Sequence, residues 1–530
     1  ALQPVEVLPN ERMVDSLGRL VNLAAGVTYL PSGCAEQSCA QTYQEEAAVQ
    51  MDQLVLRFSL KPGLTWSDGS PLTAGDSLYS YEVARALGVQ GRPELVARTQ
   101  SYQALDETTV EWRGLPGLRP ADPGQYFFSP LPGQAWSELA PSQLITATLS
   151  ARTPLGWGAY QVTEWAPGAS ITLSRNPNYF RADEGLPAFD FLVYRFLPDP
   201  QQALSALQSG ECDLLDPAYG FSAQDPDVLA LQQAGQAALV EIPGTSWEHL
   251  DFGIVPADPQ RLAIFQSPQV RQAVALCIDR QTLAAEFAPG QAVLDSYLPA
   301  GYSLANPDLR RYAYDPAAGG ALLQAAGWLD LDNDPAPPRL AQAVPGLADG
   351  APLVVSYFTS DSDFRLRLAE RIKAYLAQCG IQVEITSGPA EQIFAARPGG
   401  PVFGRNFDLA QFAWPASDQP ACALYTSFQV PGPYPQFSLG WGGGNASGYS
   451  NPQFDQACLA AGNALPETPQ FQAALQRAEA IFVEELPSLP LFQRASLVVA
   501  RPDFCGLKID ASNPDIFWNL EAFNYGEFCQ

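Results

Sequence analysis

Three observations predict an α/β protein of more than one domain. The chain has 530 residues, more than one hydrophobic core can organise. With 47% hydrophobic and 16% charged residues, it holds enough apolar side chain to bury sizeable cores and lacks the composition of a disordered chain. Two separate stretches, residues 191–216 and 353–386, each read strand, helix, strand.

In FLVYRFLPDPQQALSALQSGECDLLD (191–216) a β-rich run comes first. A helix then opens near Pro200, where proline suits the first turn, Gly210 stops it, and a short apolar strand follows. In the second stretch LVVSYF (353–358) is the first strand, and residues 361–363 offer capping side chains for a helix beginning near Phe364. Leu368, Ile372, Tyr375, Leu376 and Cys379 share one helical face, and Gly380 takes the C-cap role. Ile381, Val383 and Ile385 then alternate with Gln382, Glu384 and Thr386, the period of a strand. Each stretch predicts a right-handed parallel crossover. Proline and glycine clusters at 114–124, 333–352, 398–404 and 431–448 read as surface loops.

The formal charge of -27 argues against nucleic acid or an anionic membrane as partner, because both would repel such a surface. No run of about 18 apolar residues occurs, so the sequence predicts no bilayer-spanning helix. Nine cysteines without a CxxC pair speak against a zinc ribbon and for an oxidising compartment. Cys34 with Cys39, Cys422 with Cys458, and Cys505 with Cys529 are the expected disulfides, while Cys212 and Cys277, in apolar surroundings, are expected to be inert core residues. His249 is the single histidine, which excludes a multi-histidine metal site. Asp330, Asp332 and Asp334 alternate like the first carboxylates of an EF-hand loop, but Pro335 replaces its turn glycine and Ala341 its bidentate glutamate. The expectation is therefore no cofactor, a structural Ca²⁺ being the one exception those carboxylates admit.

The stretch LVLRFSLKPGLTWSDGSPLTAGDSLYSYEVA (54–84) closely resembles the signature of the family 5 bacterial extracellular solute-binding proteins, the oligopeptide- and dipeptide-binding type. GWGAYQVTEWAPGASITLSRNPNYF (156–180), SPQVRQAVALCIDRQTL (267–283), YDPAAGGALLQAAGW (314–328), FDLAQFAW (407–414) and ELPSLPLFQ (485–493) agree with the family in the same order. Some fifty residues precede the signature and do not match the strand with which family chains open. The resemblance implies a two-lobed, type II periplasmic-binding-protein-like fold of the large cluster C form. Lobe I would comprise residues 1–253 and 491–530, with an extra subdomain at about 45–150, and lobe II residues 257–488, with crossovers near 252–256 and 487–492. It further implies a monomer, exported to the cell surface or periplasm and lipid-anchored before processing, that captures a peptide or other small polar solute in an interlobe cleft for an ABC transporter permease.

Within that resemblance, local chemistry selects residues. Ser67, Asp68 and Gly69 make a turn, and residues 73–76 cap the following helix, so Trp66 and Asp68 are expected to fix the fold. Ligands of open parallel sheets bind beyond the carboxyl ends of strands, which selects Trp414 and the loop after it. Peptide-binding relatives carry an amine-pairing aspartate three residues past this tryptophan; here Ser417 holds that position and Asp418 follows. SWEHLDFGIV (246–255) resembles the pocket-lining strand that crosses between lobes, which adds Trp247, Glu248 and His249. Trp157, Tyr425 and Trp441 are further aromatic candidates. A secreted hydrolase, drawing on the many carboxylates, is the alternative from another class, but no GxSxG or HExxH motif marks a site. A cell-surface sensor or scaffold that keeps the fold without transport is the other.

Overall fold

The structure is a computed structural model that describes all residues except 35–36, 45–46, 89–90, 332–337, 416–420, 434–440, 510–514 and 530. The chain forms two compact units, Ala1–Ile242 with Ser496–Gln530, and Pro243–Ala495. No helix among the described residues is long and apolar enough to cross a membrane.

In the first unit, strands β1 (Leu2–Val7) and β2 (Val49–Ser59) pair antiparallel. Helix α1 (Ala74–Leu87) follows, then strands β3 (Thr99–Ala104) and β4 (Thr109–Gly114), giving a sheet of order β1-β2-β4-β3. The opening residues that match no family strand thus form an edge of this sheet. Asp76 organises the start of α1: one carboxylate oxygen accepts from the Thr73 backbone N–H at 2.9 Å and from Trp66 Nε1 at 3.4 Å. Trp66 is buried by that arrangement, as its place in the TWSDG turn predicts.

Strands β5 (Tyr160–Ala166), β6 (Ser170–Arg175) and β7 (Phe191–Arg195) make an antiparallel meander, and α2 (Pro200–Gln208) leads to the short strand β8 (Leu214–Leu215). This corrects the predicted crossover at 191–216. The strand and helix positions hold, but β7 pairs antiparallel with β6, whereas β8 pairs with Val499 and Ala500 in a different sheet. Periodicity identifies a strand; it does not identify its neighbour.

A long strand, β9 (Ala238–Phe252), passes from the first unit into the second. The second unit then builds α3 (Pro268–Cys277), α4 (Pro316–Ala325), β10 (Val354–Ser360), α5 (Asp363–Ala377), β11 (Gln382–Gly388), β12 (Leu409–Pro415), α6 (Pro452–Gly462), α7 (Pro469–Glu485) and β13, which begins at Ser488. Strands β10 and β11 are parallel, joined by α5, as the alternation at 353–386 predicts. Strand β10 is also parallel to β12, and β12 is antiparallel to β9. Ile393, Val402, Phe407, Ala410 and Phe412 form an apolar core beneath this sheet.

Cys34–Cys39, Cys422–Cys458 and Cys505–Cys529 pair as expected, and a fourth bond, Cys277–Cys379, corrects the reading of Cys277 as an inert core thiol. Cys379 lies on the apolar face just past α5, and Cys277 ends α3, so tertiary packing brings together two cysteines 102 residues apart. Gly319 of α4 permits the approach, since a Cβ there would sit 2.5 Å from Cys277 Sγ. Cys212 is the unpaired thiol; burial against an apolar cluster of the first unit pushes its pKa up, which keeps it a poor nucleophile.

A loop of this length makes the fourth bond the most stabilising of the set on chain-entropy grounds. Replacing Cys277 and Cys379 together by alanine is expected to cost about 2–4 kcal/mol of unfolding free energy. Guanidinium denaturation checks this, and a smaller loss for the Cys34, Cys39 double variant is the internal control.

Candidate functional site

The site is built on one strand pair of the second unit. Residues 246–252 of β9 run against 409–415 of β12 in unbroken antiparallel register, with Trp247 opposite Trp414, Glu248 opposite Ala413, His249 opposite Phe412, Leu250 opposite Gln411 and Asp251 opposite Ala410. Side chains alternate along a strand and directly opposed residues share a face. Trp247, His249, Asp251, Phe412 and Trp414 therefore occupy one face, and Glu248, Leu250 and Gln411 the other.

The first face is aromatic around a polar centre. The His249 ring lies 4.7 Å from Trp247, 4.3 Å from Phe412 in an edge contact, and 6.2 Å from Trp414, nearly parallel to it. His249 and Asp251 are both fully buried, with Nδ1 and Oδ1 3.1 Å apart, within ion-pair distance but outside hydrogen-bond geometry. Ser488 Oγ, at the start of β13, is 3.3 Å from the same Nδ1 and donates to the Leu250 carbonyl at 3.4 Å. The Tyr425 hydroxyl faces Ser488, Trp414 and Asp251, and burial, followed by the Asp251 charge, holds its pKa well above the usual 10. The hydroxyl therefore stays protonated at physiological pH, although it makes no hydrogen bond to the groups it faces.

This centre contains serine, histidine and aspartate but cannot work as a catalytic triad. Ser488 and Asp251 both address Nδ1, while Nε2 is buried with no hydrogen-bond partner. A triad needs the nucleophile on one ring nitrogen and the carboxylate on the other.

The second face carries a buried ion cluster. Glu248, 0% exposed, accepts from Gln411 Nε2 at 3.0 Å and lies 3.5 Å from an Arg365 guanidinium nitrogen and 3.4 Å from one of Arg494. Arg365 belongs to the first turn of α5 and also donates to the Gln411 carbonyl at 3.2 Å. Tyr357 on β10 donates to Gln411 Oε1 at 2.8 Å; burial first, and the Glu248 charge second, hold its pKa well above the usual 10. Arg494 covers the Phe364 ring at 4.2 Å. A carboxylate at zero exposure is tolerable only with such partners.

The structure thus brings together Trp247, Glu248, His249, Trp414 and Tyr425 of the predicted set. Trp441 is one step removed: its Nε1 donates to the Phe403 carbonyl at 2.9 Å, and the Phe403 ring is 6.2 Å from Trp414. Trp157 belongs to the first unit, in the loop before β5, 38% exposed. Ser417 and Asp418 lie outside the described residues, as do Asp332 and Asp334; Asp330 is half-buried beyond the strand Trp328–Leu329. Among the described residues no cluster of metal-ligating side chains forms. Arg365, Arg494, Gln411, Asp251 and Tyr357 escaped the sequence reading. Only Asp251 had a local signal, two positions along the strand from His249 and so on its face.

Comparison with known proteins places the chain in a family. The chain matches the sequence model of the bacterial extracellular solute-binding proteins, family 5 Middle, over residues 41–436, and it belongs to that family. It is 24% identical to the oligopeptide-binding protein AppA of Bacillus subtilis over 287 residues, 52% of this chain and 49% of that protein. It is 25% identical to the oligopeptide-binding protein OppA of Mycobacterium tuberculosis over 474 residues, covering 84% and 70%. The chain spans about half the length of AppA and of several of the other curated relatives it matches. Among solved structures, AppA of Bacillus subtilis in complex with a nonapeptide superposes with a TM-score of 0.67 at 18% identity, covering 97% of this chain and 92% of that one. NikZ of Campylobacter jejuni in complex with Ni(L-His) gives 0.69 at 16% identity, covering 98% and 93%. The type II periplasmic-binding fold implied by the resemblance is shared with these proteins.

Removing the charge of Glu248 while keeping its shape leaves Arg365 and Arg494 facing an amide. Glu248→Gln is expected to destabilise the protein by about 3 kcal/mol, measured by urea denaturation; a midpoint equal to wild type would show that the two arginines do not depend on this carboxylate.

Proposed function

We propose that the protein captures a solute, a peptide or another small polar molecule, outside the cytoplasm and delivers it to the permease of an ABC importer. Family membership together with the position of Trp414 carries this reading. Trp414 stands near the carboxyl end of β12, a strand parallel to β10, where open parallel sheets receive ligands. Trp247 lies directly across from it, so the two rings mark one end of the strand pair. Trp247 is buried and Trp414 half-buried, so Trp414 would be the ring that meets a solute, backed by Trp247 beside it and by the ion cluster on the other face of the sheet.

On this reading binding is the whole of the protein's chemistry, and neither catalysis nor a cofactor is required. Ser417 and Asp418 come three and four residues after Trp414, and Asp418 would be the counter-charge for a ligand amine. Ca²⁺ at Asp330, Asp332 and Asp334 would serve structure alone. The protein would be a monomer, exported and lipid-anchored, since delivery to a permease requires the carrier to stay near the membrane.

A thermal-shift screen with short peptides, sugars and amines tests the proposal. A true ligand at 100 times its Kd adds about 2.7 kcal/mol of stability, and Trp414→Ala should weaken its binding at least about tenfold. Asp418→Asn should weaken amine-bearing ligands by a similar factor and leave neutral sugars alone. A screen in which no solute raises the midpoint, alongside turnover of a substrate by the purified protein, would contradict it.

A further inference from the structure

A pocket of about 360 Å³ opens in the first unit, apart from the residues assigned to solute capture. The Ser67–Asp68 turn forms one rim, and Trp136, Leu149, Leu155 and Val162 supply an apolar interior. We propose that this pocket binds a small organic cation, an ammonium group on a compact apolar body, with Asp68 as its counter-ion.

The lining chemistry selects that class. Asp68 is the only charged residue among those that line the pocket, and Ser67, Thr153 and Gln161 add neutral oxygens. With no basic side chain in the lining, an anion would meet the Asp68 charge with no cation to offset it, while an ammonium finds a carboxylate above an apolar cavity. The Asp68 carboxylate is held by one oxygen: Oδ1 accepts from the Ser70 N–H at 2.9 Å and from Ser70 Oγ at 2.6 Å. Those bonds lower its pKa, the hydroxyl contributing most, and keep it ionised at neutral pH.

The rim is also fixed in place, which limits the ordering cost of binding. Ser67 N donates to the Gly156 carbonyl at 2.8 Å, and Asn178 Nδ2 donates to the Ser67 carbonyl at 3.0 Å. Gln134, on the short helix that carries Trp136, donates to Ser70 Oγ at 3.0 Å and ties the turn to the opposite wall. Leu149 remains 40% exposed at the opening, available to a ligand's apolar body.

Methyl NMR on the full chain, titrated with n-hexylammonium, hexan-1-ol and hexanoate, tests the proposal. Hexylammonium should shift the methyls of Leu149, Leu155 and Val162 saturably, hexanol should bind about tenfold more weakly, and hexanoate should not bind. Asp68→Asn keeps an oxygen for the Ser70 N–H and so preserves the turn, and it should weaken hexylammonium about tenfold. Leu149→Lys, at an exposed position, should abolish binding by placing a competing ammonium at the mouth. Unmoved methyls, equal affinity for hexanoate, or an Asp68→Asn variant that binds like wild type would overturn the assignment. Because Trp414 plays no part here, failure of this site leaves solute capture unaffected, and the converse holds.

Discussion

The register between residues 246–252 and 409–415 is the constraint on which the second unit depends. It places a histidine, an aspartate and three aromatic rings on one face of two strands, and a buried glutamate with its glutamine on the other. A slip of one residue would exchange the faces, leaving Glu248 among the rings and His249 against two guanidinium groups. Both arrangements strand a buried charge, so each face enforces the register that the other needs. The ion cluster is better understood as a device of specificity than of net stability, since buried pairs often only balance their desolvation.

The polar centre around His249 is less completely satisfied. Asp251, Tyr425 and Trp414 carry buried polar atoms that make no protein hydrogen bond, although the groups converge on one another. Unmet hydrogen bonds are costly in a dry core, and functional sites are where such cost is commonly retained. Asp251 and Tyr425 are themselves fully buried, and Trp414, half-buried near the end of β12, is the member of this group nearest to solvent.

Much of the fold was legible because its signals are local. Alternation at 381–386 and the apolar face of Leu368, Ile372 and Leu376 located a strand and a helix, and the short-range cysteine pairs followed from spacing. What was not legible is long-range. Nothing near Cys277 announces Cys379, and nothing in FLVYRF states that its neighbour is the hairpin strand 170–175 and not 214–215. The site divides likewise. His249 and Trp414 drew attention as unusual residue types in recognisable strands, whereas Arg365 and Arg494, two of the chain's 26 arginines, acquire meaning only when α5 and β13 carry them to Glu248.

The central claim is that this strand pair receives a solute at its Trp247 and Trp414 end. Hydrogen exchange of the full chain, with and without a saturating solute, tests it most directly. The account predicts slowed exchange concentrated at residues 246–252 and 409–415. Slowing confined to other segments, with these two unchanged, would contradict it.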